Sequence, residues 1–412
     1  MEGMKDSGTS HLGKIPVEWN VRPFKYCVNI CNGREYADIE VEEGGYPVIG
    51  SGGEFARASK FCYQGESVLL GRKGTIDKPM YINDAFWCVD TMFYTQIKPN
   101  MCARFLYYCA LNFRFDYYMT STALPSMTQS DLGAEKICVP EKSEQQAIAD
   151  FLDDKCSQID GIIADIEMQI EILKSYKKSL ITETVTKGLD KNVKMKDSGV
   201  EWIGQIPEHW DVNEIKYMSI LKGRIGWQGL TSDEYQDEGA FLITGVNFNN
   251  GGIDWESCEH IPMKRWEEAK DIQIEDGDLL ITKDGTIGKV AVVSGKPGET
   301  SLNSGVMRIK THEGYNRKYL YWVLQSDVFW NWFNLKNAGN STIQHLYQGD
   351  FAEFKYAYPN PKLQIDIAAY LDKQCLQIDS IITTKQAQLT KMQQHKKSLI
   401  YEYVTGKKRV AI

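Results

Sequence analysis

Two long stretches of this 412-residue chain carry apolar residues in alternating steps of four and three. The first stripe consists of Leu152, Cys156, Ile159, Ile163, Ile166, Ile170, Leu173 and Leu180. The second consists of Leu371, Cys375, Ile378, Ile382, Leu389, Met392 and Leu399, with Lys385 in the same frame. This spacing aligns one side-chain row along a helix and is typical of a coiled-coil seam. It predicts two long helices, entered after Pro140 and Pro359, because proline is tolerated at a helix start.

A single narrow stripe needs a partner helix, and the other stripe is the obvious one. Residues 141–190 hold six lysines against eleven acidic residues, whereas residues 359–412 hold nine basic residues against four acidic ones. Opposite charge favours pairing of the two segments and opposes self-pairing. The predicted helix-pair interface contains Leu152, Ile159, Ile163, Ile166, Leu173, Leu371, Ile378, Ile382, Leu389 and Met392. The alternative is that each stripe packs only on its own globular domain.

The chain also repeats itself. "MKDSGTSHLGKIPVEW" (4–19) returns as "MKDSGVEWIGQIPEHW" (195–210), and "FLDDKCSQID" (151–160) returns as "YLDKQCLQID" (370–379). The offset between the copies grows from 191 to 219, so the middle of the second copy carries insertions. A duplicated unit with fixed ends and a divergent middle suggests a shared frame with two different recognition parts. Divergence after duplication without functional meaning is the alternative.

Short apolar runs such as "YPVIG", "SVLLG", "FLITG" and "KVAVVS" lie between these anchors and are bounded by Gly, Asn and Asp, which predicts strands. The fold class expected is therefore α+β. Two globular mixed α/β domains, residues 1–140 and 191–358, are joined by two long antiparallel coiled-coil helices in residues 141–190 and 359–412. The repeat makes this arrangement pseudo-twofold.

Composition narrows the functional classes. The chain is 42% hydrophobic and 25% charged, which is typical of a folded protein, and its net charge of −8 argues against a simple polyanion binder. It has no apolar run long enough to span a membrane and no signal-peptide pattern, so we expect a cytoplasmic protein. Its ten scattered cysteines are interpreted as buried, reduced thiols.

Enzyme signatures are absent from the sequence. We find no phosphate-binding loop, no dinucleotide fingerprint, no nucleophile elbow and no zinc-binding helix motif, and the six histidines are isolated. The sequence therefore predicts a binding protein that has no catalytic residues, no metal and no cofactor of its own.

Glycine-flanked polar loops are the candidate binding elements. "GRKGT" (71–75) and "TKDGT" (282–286) follow strand-like runs at matched places in the two copies. Glycine lets backbone approach a ligand closely, Lys, Arg and Thr donate to phosphates and base edges, and Asn can read adenine. The candidate DNA-binding residues are Ser51, Arg57, Lys60, Arg72, Lys73, Thr75, Lys78, Thr128, Gln129, Arg224, Asn247, Asn249, Lys283, Thr286, Lys289, Thr342 and Gln344. Ordinary solvated turns are the alternative for each loop taken singly.

The repeated arm "MKDSG", the Gly-Thr-Ile loops and the Gln-rich "SEQQAIADFLD" (143–153) entry into the helix together resemble a known family. The chain is similar, over nearly its whole length, to the DNA-specificity subunit of type I restriction-modification enzymes. The second copy departs from the pattern at "KLQIDIAAYLD" (362–372), which keeps Gln364 but lacks the preceding glutamate.

The resemblance implies that each globular domain reads one half of a split double-stranded DNA site. It further implies that the helices set the spacing and dock two methyltransferase subunits, and that motor-nuclease subunits complete the complex. S-adenosylmethionine, ATP and magnesium would belong to those partners. Two other hypotheses stay open from the residues alone: a stand-alone methyltransferase or nuclease with an unrecognised site, and a scaffold that binds only proteins.

Overall fold

The computed structural model describes residues 3–118, 125–224, 230–338 and 344–410. The chain forms two compact units: unit 1 contains residues 1–167 and 386–412, and unit 2 contains residues 168–385. Both boundaries fall inside the long helices, so each unit holds one globular part and a portion of each helix. The division at 140, 190 and 358 expected from sequence separates helices from globular parts and stays a prediction.

The first copy of the repeat contains ten strands and three helices in the described residues. Its strands are β1 (Met4–Asp6), β2 (Lys14–Pro16), β3 (Asn20–Pro23), β4 (Val28–Asn32), β5 (Tyr46–Gly50), β6 (Gly53–Ala58), β7 (Tyr63–Gly71), β8 (Met80–Cys88), β9 (Met92–Ile97) and β10 (Lys136–Val139). Its helices are α1 (Ala103–Ala110), α2 (Gln129–Ala134) and α3 (Lys142–Lys187).

The second copy follows the same order with extra short elements. Its strands are β11 (Met195–Asp197), β12 (Gln205–Pro207), β13 (Asp211–Glu214), β14 (Ser219–Gly223), β15 (Ala240–Ile243), β16 (Phe248–Asn249), β17 (Gly252–Ile253), β18 (Glu259–Ile261), β19 (Leu279–Thr282), β20 (Val290–Val292), β21 (Thr300–Leu302), β22 (Val306–Thr311) and β23 (Lys355–Tyr358). Its helices are α4 (Ile215–Met218), α5 (Met263–Glu268), α6 (Arg317–Gln325), α7 (Asp327–Lys336), α8 (Gln348–Ala352) and α9 (Pro361–Val404).

The globular parts are built on mixed sheets, as the sequence predicts. In unit 1, six strands pair in the order β4-β9-β7-β8-β5-β6. In unit 2, a four-stranded sheet of order β14-β22-β19-β20 lies beside a three-stranded sheet of order β18-β15-β21. In both copies the strand before the long helix pairs with a strand of the N-terminal arm, β10 with β3 and β23 with β13. The arm is thereby tied to the helix entry.

The apolar stripes are the packed faces of α3 and α9. Leu152, Ile159, Ile166, Leu371 and Ile378 are buried, and Ile163, Leu173, Ile382, Leu389 and Met392 are half-buried. Most of the residues between them on these helices are exposed. The coiled-coil prediction is confirmed, and α9 begins at Pro361, as expected for proline in a first helical turn.

Within unit 1 the two helices run antiparallel, because residues later in α3 contact residues earlier in α9. The rings of Phe151 and Tyr403 lie 4.4 Å apart, and further along Asp160 pairs with Lys396 at 2.6 Å. Unit 2 contains the equivalent ion pair, Lys177 with Asp379 at 2.7 Å. These exposed pairs are worth only about 0–1 kcal/mol each, so they set register more than stability.

A buried glutamine fixes each helix entry. Gln145 accepts a hydrogen bond from Cys102 N–H at 2.9 Å and donates to the carbonyl oxygen of Pro140 at 3.0 Å. Gln364 accepts from Asn316 N–H at 2.7 Å and donates to the carbonyl oxygen of Pro359 at 2.8 Å. The glutamine that is repeated in the sequence motif therefore links each long helix to its globular part through hydrogen bonds.

The arm tryptophans are buried anchors in both copies. Trp19 and Trp210 are both 0% exposed. Each ring lies against the glycine that follows a long helix: a Cβ at Gly406 would meet Trp19 at 3.1 Å, and a Cβ at Gly188 would meet Trp210 at 3.1 Å. Both glycines have positive φ, the left-handed conformation that ends helices. The arm thus packs where a helix ends.

Candidate nucleic-acid interface

In unit 1, two of the predicted segments come together although they are far apart in sequence. Met127 N–H donates to the carbonyl oxygen of Arg72 at 3.0 Å, and Gly74 N–H donates to that of Pro125 at 2.9 Å. We call residues 71–79 together with 125–129 loop pair 1. It presents the turn between β7 and β8 beside the start of α2.

The equivalent segments meet in unit 2. Leu346 N–H donates to the carbonyl oxygen of Lys283 at 3.0 Å, and His345 Nδ1 lies 2.6 Å from Asp284 Oδ1. We call residues 282–289 together with 344–348 loop pair 2. Lys289 N–H closes its turn by donating to Thr282 Oγ1 at 2.9 Å.

A glutamine side chain anchors each loop pair to the same strand of the fold. Gln129 donates through Nε2 to the carbonyl oxygen of Ile30 on β4 at 3.1 Å. Gln348 donates in the same way to that of Leu221 on β14 at 3.2 Å. The two loop pairs are therefore built alike, in agreement with the repeat offsets of the sequence.

A third predicted segment borders loop pair 1. Arg72 N–H donates to the carbonyl oxygen of Thr91 at 2.9 Å, and Val89 N–H donates to that of Ile49 at 3.2 Å. The turn after β8 therefore lies between Arg72 and the glycine-rich turn that contains Ser51. Three segments predicted from sequence thus border one region of unit 1.

The segment "NFNNGG" (247–252), which contains the candidates Asn247 and Asn249, lies next to loop pair 2. A Cβ at Gly245 would lie 3.7 Å from Thr286 Oγ1, and Val292 N–H donates to the carbonyl oxygen of Gly251 at 2.9 Å. Asn249 is exposed on the β16–β17 hairpin of this segment.

The candidate residues differ in exposure. Exposed are Arg57, Lys60, Lys73, Thr75, Lys78, Thr128, Gln129, Asn249, Thr286, Lys289 and Gln344. Ser51, Arg72 and Lys283 are half-buried, and Arg224 and Asn247 are buried. Thr342 lies outside the described residues.

Arg224 is buried in the structure, although the sequence predicted it as a DNA-binding residue on the surface. Its side chain is 4% exposed, and it donates to the carbonyl oxygen of Leu302 at 2.7 Å and to Ser301 Oγ at 2.9 Å. Burial lowers the pKa of Arg224 to about 10. Its guanidinium cross-links the strand β21 to the chain after β14, so we leave it out of the proposed interface.

Asn247 is also placed as a structural residue. Its Oδ1 accepts from the backbone and hydroxyl of Thr244, and its Nδ2 donates to the carbonyl oxygen of Ser257 at 2.7 Å. Because both ends of the buried amide are used, Asn247 shapes the loop, and Asn249 is the exposed asparagine of the pair.

Two exposed candidates have local structural partners. Thr128 caps α2 reciprocally with Asp131, since Asp131 N–H donates to Thr128 Oγ1 at 3.1 Å and Thr128 N–H donates to Asp131 Oδ2 at 2.8 Å. Arg57 on the edge strand β6 lies 3.4 Å from Glu54. Among the described contacts, none joins Arg57 or Lys60 to loop pair 1. Their DNA contacts stay predictions.

The sequence interpretation missed His345 and Gln348. His345 precedes α8 and Gln348 is its first residue, whereas the sequence predicts only Thr342 and Gln344 as DNA-binding residues of this segment. The 219-residue offset aligns Gln348 with Gln129 and His345 with Ser126, so applying the repeat position by position would have found them.

Features of other functional classes are not found in the parts of the chain that the structure describes. No cluster of three or more His, Cys, Asp or Glu side chains there is placed to bind a metal ion. No described helix is sufficiently long and apolar to cross a membrane. All ten cysteines are free and eight are buried, and burial raises the pKa of Cys138 and Cys258 to about 11.

Two loop pairs of the same construction, in two units that share a long helix pair, define a duplicated recognition protein. Residues 16–171 and 207–391 match the family described as the type I restriction modification DNA specificity domain, once in each copy. This match covers most of the chain, so the chain belongs to that family. The family is the DNA-recognition component of type I restriction-modification systems and is not catalytic.

Two curated relatives come from Methanocaldococcus jannaschii. The chain is 27% identical to the putative type I restriction enzyme MjaX specificity subunit, over 69% of this chain and 62% of that protein. It is 23% identical to the type I restriction enzyme MjaVIII specificity subunit, over 97% of this chain and 95% of that protein. The chain therefore spans under two thirds of the first relative and almost all of the second.

The fold is shared with a solved structure. A chain from a structure concerning complex assembly and conformational transition of the type I R-M system superposes with a TM-score of 0.70. The alignment covers 95% of this chain and 98% of that chain at 12% identity. At this identity the similarity establishes the common fold, including the predicted α+β class with its long helices.

Proposed function

We propose that each unit reads one half of a bipartite double-stranded DNA target through its loop pair. The observation that carries this proposal is the duplication of the loop pair with one framework and different side chains. Where loop pair 1 has Lys73 and Ser126, loop pair 2 has Asp284 and His345. A shared framework with different donors and acceptors suits two half-sites of unrelated sequence, because base edges are distinguished by their hydrogen-bond patterns.

The long helices would set the distance between the half-sites. α3 has 46 residues and α9 has 44. At 1.5 Å per residue each is about 65–70 Å long, roughly twice the 34–36 Å of one DNA turn. Helices of this length support a target with an unread spacer between its halves.

We further propose that two methyltransferase subunits dock on the helix pair and that motor-nuclease subunits join them in the cytoplasm. Support comes from Ile162 on α3 and Ile381 on α9, which occupy equivalent repeat positions and are both 46% exposed. Each lies in a different unit, so the repeat offers one apolar position per unit to a partner used twice. S-adenosylmethionine, ATP and magnesium would be bound by those partners.

Lys73→Ala and Lys283→Ala test the reading function. Each change should weaken the assembled complex's DNA binding and lower the slope of log affinity against log salt by roughly one, because one phosphate contact is lost. Footprinting of the unmodified complex should show two separate protected stretches, and mapping of methylated bases should identify the two half-sites.

Lys174→Ala is the matched control for these variants. It also removes one exposed lysine, from the middle of α3, where Lys174 pairs with Glu171. One continuous footprint would contradict the bipartite proposal, and unchanged salt slopes in both loop variants would remove the loop pairs from the interface.

Ile162→Asp and Ile381→Asp test the docking proposal. Because both side chains are half exposed, the folded chain should tolerate aspartate, whereas a buried apolar contact with a partner should not. We expect each variant to bind one methyltransferase subunit in place of two, measured as the complex mass by light scattering. Loss of both subunits in either variant, or of neither, would contradict two equivalent docking positions.

A further inference from the structure

A lysine–tyrosine pair occurs at the same surface position of both units, outside the loop pairs. Lys25 and Tyr26 precede β4, and Lys216 and Tyr217 precede β14. The tyrosines are 60% and 61% exposed, and the lysine Nζ lies 5.5 Å from the ring centroid in unit 1 and 5.0 Å in unit 2. Because both side chains are exposed, core packing does not explain why the two copies of the repeat share them while the neighbouring residues differ.

A third donor joins each pair. Lys98 donates through Nζ to the carbonyl oxygen of Lys25 at 2.8 Å, and its own N–H donates to that of Cys27 at 3.1 Å. The equivalent residue of unit 2 is His312, whose N–H donates to the carbonyl oxygen of Met218 at 2.9 Å. The backbone contact is the same in both units, and the side chain at this position is a lysine in unit 1 and a histidine in unit 2.

A fourth position is lysine in both units. Lys136 lies opposite Pro23 in the β10–β3 pair, and Lys355 lies opposite Glu214 in the β23–β13 pair. We call Lys25, Tyr26, Lys98 and Lys136 basic patch 1. We call Lys216, Tyr217, His312 and Lys355 basic patch 2.

Both patches lie beside the loop pairs. A Cβ at Gly133 of α2 would lie 3.3 Å from the Cβ of Lys25, so the helix that starts in loop pair 1 packs on basic patch 1. In unit 2, Lys216, His312 and Gln348 line one open groove of 410 Å³. Gln348 is the residue that anchors loop pair 2.

We infer that the two basic patches bind backbone phosphates of DNA that flank the bases read by the loop pairs. This inference rests on the proposed function and extends it to residues that carry no sequence information. Lysine ammonium groups and tyrosine hydroxyls are common phosphate donors, and phosphate contacts fix the register of a protein on the duplex. The chain as a whole has a net charge of −8, whereas each of these matched patches contains lysines at its surface.

The two patches differ in available charge. In unit 2, Glu214 lies 2.6 Å from Lys216 and 3.9 Å from Lys355, so one carboxylate offsets both lysines. In unit 1 the equivalent residue is Pro23, and the described residues contain no ion pair to Lys25 or Lys136. Basic patch 1 should therefore contribute more to the salt dependence of binding than basic patch 2.

The test uses the assembled complex and two duplexes, one with the methylation-mapped target and one with a scrambled sequence. Lys25→Ala with Lys98→Ala should lower the salt slope by about two and weaken binding to both duplexes alike, because counterion release does not depend on sequence. Lys216→Ala with Lys355→Ala should lower the slope less, and Glu214→Gln should strengthen binding.

Matched controls separate charge, folding and partner effects. Lys174→Ala with Lys397→Ala removes two exposed helix lysines and should leave the salt slope unchanged. Lys25→Arg with Lys98→Arg preserves the charge and should also leave the salt slope unchanged. Thermal melting of each variant confirms that it is folded. Slopes equal to the helix control would overturn the inference, as would a fall in complex mass, which would assign the patches to protein docking. Because the scrambled duplex needs no target, the result stands whether or not the bipartite site is found.

Discussion

Replacing Ile166 with aspartate should lower the free energy of unfolding by about 3–5 kcal/mol, because an unpaired carboxylate would be placed in the helix seam. Ile166 is 9% exposed and lies on the buried stripe of α3. Continuing the antiparallel register of Asp160 with Lys396 puts Ile166 opposite the α9 segment that carries Leu389 and Met392.

Met168→Asp is the control on the same turn of α3. Met168 is 62% exposed, so aspartate there should change stability by no more than roughly 0.5 kcal/mol. Urea denaturation of both variants, followed by helix content, gives the comparison. If both variants lost the same free energy of unfolding, the loss would come from the low helix propensity of aspartate and not from burial in the helix seam.

Ile166→Leu completes the series. A volume-conserving swap should cost less than about 1.5 kcal/mol. If leucine proved as damaging as aspartate, shape at the seam would matter more than burial of charge, and the paired-helix account of α3 and α9 would need revision.

The helices are the elements that sequence predicts best, because their pattern is local. The first was expected within residues 141–190 and is observed over Lys142–Lys187. Several strands were also found from short apolar runs: "YPVIG" is β5, and "KVAVVS" contains β20. In these cases periodicity and the bounding glycines carry the whole signal.

The candidate site was predictable only in part, because burial of a polar residue is a tertiary property. Arg224 and Lys73 are both basic residues near glycine in similar loops, yet Arg224 is enclosed by β21 while Lys73 is exposed. Nothing in the local sequence distinguishes them. The same holds for Asn247 and Asn249, which are two residues apart and have opposite exposure.

Convergence of distant segments also escapes local analysis. The sequence predicted DNA-binding residues in the loops after β7 and β19 and in the segments before α2 and α8, but it did not show that a backbone hydrogen bond joins each loop to its segment. The local sequence does not distinguish Lys25 and Tyr26 from other surface residues, for a related reason. Their significance comes from Lys98 and Lys136, which strand pairing brings beside them.

The second large expected effect is the loss of stability when an arm tryptophan is replaced. Because the chain has two such tryptophans, each serves as the reference for the other. Trp19→Ala and Trp210→Ala should each cost about 3–5 kcal/mol, since both rings are fully buried. Their indole N–H groups differ, however. Trp19 Nε1 donates to Glu144 Oε2 at 3.1 Å, whereas Trp210 Nε1 has no hydrogen-bond partner among the described residues.

The difference arises where the second copy lacks the glutamate that precedes the repeated glutamine in the first copy. Leu363 stands where the first copy has Glu144, and Glu144 is also held by Arg409 at 2.8 Å. Trp19→Phe should therefore cost about 1.5–3 kcal/mol more than Trp210→Phe, the range expected for a hydrogen bond to a charged group. Chemical denaturation of the two phenylalanine variants, with unit 1 and unit 2 followed by separate fluorescent probes, measures this difference.

Glu144→Leu gives the first copy the arrangement of the second and closes a double-mutant cycle. In that background Trp19→Phe should cost the same as Trp210→Phe, because the indole N–H has lost its acceptor in both. The loss of the Arg409 contact is common to both arms of the cycle and cancels. An excess cost that persisted without Glu144 would place the difference in ring packing against Gly406 and not in the hydrogen bond.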